Sequence, residues 1–314
     1  MIYQLRHTTR YSYSAPVTLC HNEARMLPRE LPWQRCEASR IEILPHPAVC
    51  SERQDFFGNR ILYFAIQDIH QALEVSVRTR LETRPRPALP IRLPGDWQGC
   101  RDTLASAAEK SCLQARLYRL DSPFVRRHAR LADYAAVSFT PGRSLLEAAQ
   151  DLNRRIFDEF TYDPSFTTLA TPLLEVLEKR RGVCQDFAHL AIGCLRSVGL
   201  AARYVSGYLE TFPAPGQPKL IGADASHAWL AVFLPGWGWL ELDPTNGSLP
   251  AEQHIVVGWG RDYADVPPLS GVMSGGGDHS LDVAVDVIPE PPANSPGRAQ
   301  HPPGTPLEPS SRPA

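Results

Sequence analysis

The sequence predicts an α+β protein: an N-terminal antiparallel β domain, then a core in which a helix led by a cysteine packs on an antiparallel sheet. Three observations carry this. Residues 1–85 consist of short alternating stretches punctuated by Pro and Gly. Behind Cys184, the residues Phe187, Leu190, Ala191, Cys194, Leu195 and Val198 recur at helix spacing. After Gly199, a helix stop, the pattern returns to strands through residue 288.

In the first stretch, Tyr3–Tyr13 carries aromatics and threonines in loose alternation. Arg40–Leu44, Ile61–Ile66 and Leu73–Leu81 alternate apolar with polar. Asp55–Arg60 reads as a turn, and the packing is expected to be sandwich-like. His7 and Asp55 have no partner in the pattern and read as structural. Residues 86–165 begin with a proline-containing linker and become helical. Ser122-Pro123 marks the start of a helix running to Tyr134. After Ser144, Leu145, Ala148, Ala149, Leu152 and Ile156 form a stronger amphipathic stripe. The core is placed at 166–288, with a short helix around Leu173–Leu177. Strands follow at Ala202–Leu209, Ala225–Leu234, Trp237–Leu242, His254–Gly258 and Ser280–Ile288. Phe212–Gly222 reads as a loop and the glycine-rich Ser270–Gly277 as a mobile segment. Residues 289–314, rich in Pro, Ser and Gly, bury too little to offset ordering entropy and are expected to be disordered.

Composition narrows the function. With 314 residues and a net charge of −2, the chain has no basic footprint for nucleic acid or an anionic membrane. It has no apolar run of membrane-spanning length and no secretory signal at its start, so a cytoplasmic protein is expected. Its 7 cysteines are irregularly spaced, without a C-x-x-C pair, which argues against a zinc site or a disulfide framework.

Cys184 stands where a helix start favours a thiolate, through unsatisfied N–H groups and the helix dipole. Burial in a core is the commoner fate of a free cysteine, so a partner base decides the matter. His189, five residues on, is turned about 140° away by helix geometry and reads as structural. His254 has no evident orienting group. His227 opens one strand and Asp243 ends the next, with Leu234-Pro235-Gly236 between them. A turn centred on Pro235 sets His227 directly opposite Asp243, on one face, with Cβ atoms about 5 Å apart. A one-residue slip would separate them onto opposite faces.

The segments Gly182–His189, Ala202–Tyr208, Asp224–Trp229, Leu242–Asn246 and Gly260–Pro268 resemble the core of the bacterial transglutaminase-like proteins. Leu5–Tyr11 and Phe57-Gly58-Asn59 resemble the N-terminal domain that accompanies that core. The resemblance covers nearly the whole chain except its tail. It implies a papain-like core with a triad of Cys184, His227 and Asp243. Cys184 would form a thioester at a carboxamide or peptide carbonyl, His227 would move protons, and Asp243 would orient His227. The backbone N–H of Cys184 is a natural oxyanion donor, and Gln185 is a further candidate for that hole. Asp186, Tyr208 and Trp229 are candidate supporting or pocket residues. Animal members of the family use calcium, but no acidic calcium loop is visible here, so no metal or other cofactor is expected.

The expected partner is a protein or peptide substrate, with neither nucleic acid nor membrane. An entering amine would make the enzyme a transglutaminase, and water a protease or amidase; the fold does not choose. An arylamine N-acetyltransferase reading shares the triad but fits the flanking motifs less well. A catalytically inactive peptide-binding module is the non-enzymatic alternative, and the presence of all three residues weighs against it.

Overall fold

The computed structural model describes residues 1–89, 95–166, 171–211 and 226–291. Its first part is organised on one long strand, β1 (Ile2–Ala24). Four strands follow: β2 (Gln34–Leu44), β3 (Val49–Gln54), β4 (Arg60–Ile66) and β5 (His70–Thr83). They assemble antiparallel in the order β2-β5-β1-β4-β3. The first half of β1 pairs with β5 and the second half with β4. Pro16 does not end the strand, because its missing N–H falls between the Ser12 and Val17 pairings, where the ladder is already interrupted. Ile43, Leu73, Val75 and Val77 of one half share an apolar cluster with Cys20, Leu62, Phe64 and Ile66 of the other. The two halves of this one sheet thus share a single apolar core.

The helices are α1 (Trp97–Ser106), α2 (Lys110–Ala115), α3 (Ala129–Ala136) and α4 (Leu145–Glu159). Ser144 caps α4 by accepting from Glu147 N–H, as its position predicts. The helix expected from Ser122 starts only at Ala129. The Ser122 N–H closes a turn onto the Val125 carbonyl, and His128 is the cap. Next come β6 (Thr161–Tyr162), α5 (Leu173–Lys179), β7 (Arg181–Gly182) and α6 (Cys184–Ser197). Val125, Leu131, Ala148, Leu152 and Ile156 share the main apolar core with Leu190, Ala191 and Cys194 of α6. The helical part of 86–165 is therefore core, not a lead-in to a core that starts at 166.

The second sheet is antiparallel, in the order β10 (Gly238–Leu242), β9 (Ser226–Leu234), β8 (Ala202–Leu209), β11 (His254–Gly260). Helix α6 lies on it, burying Leu190, Ala191 and Leu195 against Ala228, Leu230 and Val232. The buried Arg196 guanidinium fixes the far end of α6 by donating to the carbonyls of Ala202, Leu120 and Arg261.

The last two strands correct the expected domain boundary. β12 (Leu269–Gly275) and β13 (His279–Pro289) return to the first sheet and pair with β1. The segment read as mobile, Ser270–Gly277, is mostly β12, and residues 269–288 belong with the N-terminal sheet rather than the core. Alternation revealed the last strand but not its partner, at the far end of the chain. The predicted loop Phe212–Gly222 lies outside the described residues, as does the tail beyond residue 291.

The two parts meet along the edge strand β11. Tyr3, Leu5, Val285 and Val287 pack on Tyr208, Ile255 and Val257. Two side-chain amides then complete the β11 edge as another strand would. Gln34 bonds both the N–H and the C=O of Val256, each at 2.8 Å. Asn59 does the same for Trp259, at 2.9 and 2.8 Å. An open edge with unpaired amides is thereby closed. His7 and Asp55 are structural, as expected: His7 hydrogen-bonds the Tyr208 hydroxyl, and Asp55 accepts from the Phe57 and Asn59 amides of its turn. No helix among the described residues is long and apolar enough to cross a membrane.

Candidate active site

The site forms where the N-terminus of α6 meets one end of the second sheet. Cys184 is the first residue of α6 and is half-buried. The cap position before it is Val183, which has no side-chain acceptor. The first N–H groups of a helix lack intrahelical partners, and a Ser or Asp cap would ordinarily occupy one. Val183 supplies no such acceptor at the start of α6. Asp186 is buried and bonds backwards, accepting from Val183 N–H at 2.8 Å. It fixes the chain entering the helix that Cys184 begins. Gln185, half-buried, stands beside it.

His227 and Asp243 come together through the β9–β10 hairpin, in a register different from the expected one. Leu242 faces Leu230 and Gly238 faces Leu234, so the turn centres on Gly236 instead of Pro235. Trp237 N–H closes onto Leu234 O at 3.0 Å, with Pro235 and then Gly236 at the corner positions. Gly236 has φ +79°, which a type II turn demands of its third residue. Moving the centre by one residue shifts the pairing by two, which preserves the face. Asp243 thus comes level with Trp229, and His227 is its diagonal neighbour. Their side chains still meet, His227 Nε2 to Asp243 Oδ2, at 2.8 Å.

The other ring nitrogen of His227 is left for Cys184, whose nearness contributes to raising the His227 pKa. Burial alone would lower the proton affinity of His227. The hydrogen bonds and charges of Asp243 and Cys184 outweigh it and push the pKa up to about 10. For Asp243, fully buried, burial would raise the pKa. Hydrogen bonds from His227, His254 and Asn246 instead hold it well below the usual carboxylate range. Oδ1 also accepts from the backbone N–H groups of Thr245 and Asn246. Sequence reasoning missed Asn246 as a donor and left His254 without a partner. The loop after Asp243 brings His254 Nε2 to 3.0 Å from Asp243 Oδ2. No strand register links these two positions, because β11 pairs with β8 and not with β10.

Trp229 is fully buried and walls this cluster. Its ring stacks on His227 at 5.9 Å and meets His254 edge-on at 5.4 Å, while Nε1–H donates to Glu241. The indole lies across β8 at Gly207, which faces His227 in the sheet. A Cβ on Gly207 would stand 2.1 Å from the Ile255 carbonyl oxygen and 2.5 Å from the indole. Tyr208, a predicted pocket residue, points instead to the N-terminal sheet and bonds His7 at 2.6 Å. His189 is structural, as expected: it stacks on Phe124, accepts from Tyr263 N–H, and is pushed down to about 4 by burial. Tyr162 is an exposed ring that sequence reasoning did not single out. Pairing of β6 with β7 carries it beside the residues leading into Cys184.

His227, Asp243 and His254 also form the described group whose ligand atoms converge closely enough for a metal ion. The chemistry of the donors argues against that use. His254 Nδ1 accepts from Ala251 N–H, so Nε2 carries the proton and donates to the carboxylate. The 2.8 and 3.0 Å separations are those of hydrogen bonds between partners, not of ligands spread around a cation.

Comparison with known proteins gives a consistent picture. Residues 3–82 match the family model of the bacterial transglutaminase-like N-terminal region, and residues 133–244 match that of the transglutaminase-like superfamily. An uncharacterized protein of Mycobacterium tuberculosis is 43% identical over 299 residues, covering 91% of this chain and 92% of its own. One from Mycobacterium leprae is 35% identical over 285 residues, covering 90% and 96%. A protein-glutamine gamma-glutamyltransferase of Pseudomonas aeruginosa is 32% identical over 132 residues, 38% of this chain and 20% of that one. A candidate cysteine protease from Cytophaga hutchinsonii shares the fold, with TM-score 0.70 at 18% identity over 92% of this chain and 90% of that one.

Proposed function

The chain belongs to the transglutaminase-like superfamily, and from that premise we propose that it catalyses acyl transfer or hydrolysis at a carboxamide or peptide bond through a thioester on Cys184. One observation carries this: a half-buried thiol at a helix start, acting on a histidine whose Nε2 is held at 2.8 Å by a buried carboxylate.

In the first half-reaction, Cys184 Sγ passes its proton to His227 and bonds to the substrate carbonyl carbon. The developing oxyanion takes hydrogen bonds from the helix-start N–H groups. The C–N bond then breaks as His227 gives the proton to the departing nitrogen, which leaves as ammonia or an amine. In the second half, His227 removes a proton from the incoming nucleophile, which attacks the thioester carbonyl, and the thiol is restored. Asp243 stays ionised throughout and holds the imidazole in register. Water as nucleophile gives an amidase or protease; a primary amine gives a transglutaminase. The identified relatives support both branches, one being a gamma-glutamyltransferase and one a candidate cysteine protease.

The test is incubation with a glutamine-containing peptide, with and without a primary amine, followed by mass spectrometry and an ammonia assay. Amine incorporation identifies a transglutaminase, ammonia release alone an amidase, and peptide cleavage a protease. Full activity in a Cys184→Ala variant would rule out the thioester route.

A further inference from the structure

We infer that His254 is a positioning residue for Asp243: a second histidine, on the far edge strand, whose fixed Nε2–H keeps the carboxylate ionised and aimed at His227. The inference rests on the proposed Cys184–His227–Asp243 mechanism and adds a fourth member to its proton machinery.

Geometry comes first. Asp243 Oδ2 receives three side-chain donors: His227 Nε2 at 2.8 Å, His254 Nε2 at 3.0 Å and Asn246 Nδ2 at 2.6 Å. His227 keeps its Nε2–H on Asp243 in both states but changes charge during turnover, as its other ring nitrogen takes up and returns a proton. The other two are donors of constant charge. Asn246 sits three residues from Asp243 in the same turn and moves with it. His254 comes from β11 and is the donor that ties Asp243 to a separate element of the sheet.

The tautomer of His254 is set by its own backbone. Ala251 N–H donates to Nδ1 at 3.3 Å, and His254 N–H donates to the Ala251 carbonyl at 3.0 Å. With Nδ1 an acceptor, Nε2 must be the protonated nitrogen and can only donate. The groups facing His254 are Asp243, His227 and Arg86, whose guanidinium also reaches the His254 carbonyl. Burial, together with the charges of His227 and Arg86, opposes a second imidazolium beside His227, and the pKa of His254 is lowered despite Asp243. A neutral donor suits this place, since a second cation would compete with His227 for the same carboxylate.

Space for the arrangement is written into β8. The Trp229 indole packs against both imidazoles because Gly207 has no side chain to exclude it. The cluster of two imidazoles, an indole and a carboxylate is therefore one packed unit, not a chance approach of His254.

The experiment follows alkylation of Cys184 by iodoacetamide across pH 5–9, which needs no knowledge of the substrate. Wild type is compared with His254→Gln, His254→Leu, His227→Ala and Asp243→Asn, each checked for folding by circular dichroism. The Gln amide can replace the Nε2–H donor, and Leu cannot. Loss of one hydrogen bond to a buried carboxylate predicts labelling about 10–100-fold slower in His254→Leu at pH 6. The acid limb should also shift to higher pH, with His254→Gln recovering most of the rate. Equal rates in folded His254→Leu and wild type would overturn the inference, as would equal impairment by Gln and Leu. If His227→Ala and Asp243→Asn also label like wild type, the underlying triad fails. If they are slow and His254→Leu is not, His254 alone loses its role.

Discussion

Gly207→Ala is the substitution that most directly probes how the site is packed. Its Cβ would lie 2.1 Å from the Ile255 carbonyl oxygen and 2.5 Å from the Trp229 ring. Non-bonded contacts of carbon settle at about 3.5–4.0 Å, so both the β11 backbone at Ile255 and the indole must give way by about 1 Å. The carbonyl belongs to a strand held on its other side by Gln34 and Asn59, so its movement is resisted and the indole is displaced as well. Overpacking of this kind costs about 1–3 kcal/mol. At roughly 2–4 °C per kcal/mol for a large domain, Tm should fall by roughly 2–12 °C. The displaced indole would no longer wall His227, so the labelling rate of Cys184 should fall at least about tenfold at temperatures where the variant is folded. Calorimetry and alkylation of the same preparation measure both quantities. An unchanged Tm together with an unchanged rate would refute the claim that the bare backbone at Gly207 builds the site.

Two further outcomes follow from the same contacts. His227 has its folded pKa raised from 6.5 to about 10, so its contribution to stability is complete below about pH 6.5 and is lost as pH rises through about 10. Thermal melts of wild type should therefore decline more between pH 7 and 10 than those of His227→Gln, and parallel curves would contradict the coupling to Asp243 and Cys184. Asn59→Leu leaves the N–H and C=O of Trp259 without their side-chain partner, and at about 1–3 kcal/mol for each unsatisfied group the loss should be roughly 2–6 kcal/mol in urea unfolding.

The legible parts of the sequence were those encoded locally. The apolar repeat behind Cys184 gave α6, the Ser144 cap gave the start of α4, and the His227 and Asp243 faces followed from strand alternation. The hairpin centre was misplaced by one residue, and the pairing survived because that error shifts the register by an even number. What stayed hidden was non-local. His254 reaches Asp243 through a loop, not a ladder. Tyr208 turns towards His7, which lies on a strand near the start of the chain. The pairing of β12 and β13 with β1 joins the two ends of the described chain, and a glycine-rich stretch offers no side-chain alternation to announce it. Asn59 stood in a recognised turn motif, but its role, bonding the Trp259 backbone across the junction, depends on the docking of two parts.

The central claim is that Cys184 is a nucleophile served by His227, and the protein carries its own control for it. Cys50 is exposed, yet burial of its thiol raises its pKa; Cys36 is pushed up to about 12 by burial. Brief alkylation of the native protein at pH 6, read by peptide mass spectrometry, compares all the thiols in one tube. The account predicts modification of Cys184 well ahead of the exposed Cys50, with that advantage lost in His227→Ala. Labelling of Cys50 as fast as Cys184, or a Cys184 rate indifferent to His227→Ala, would contradict it.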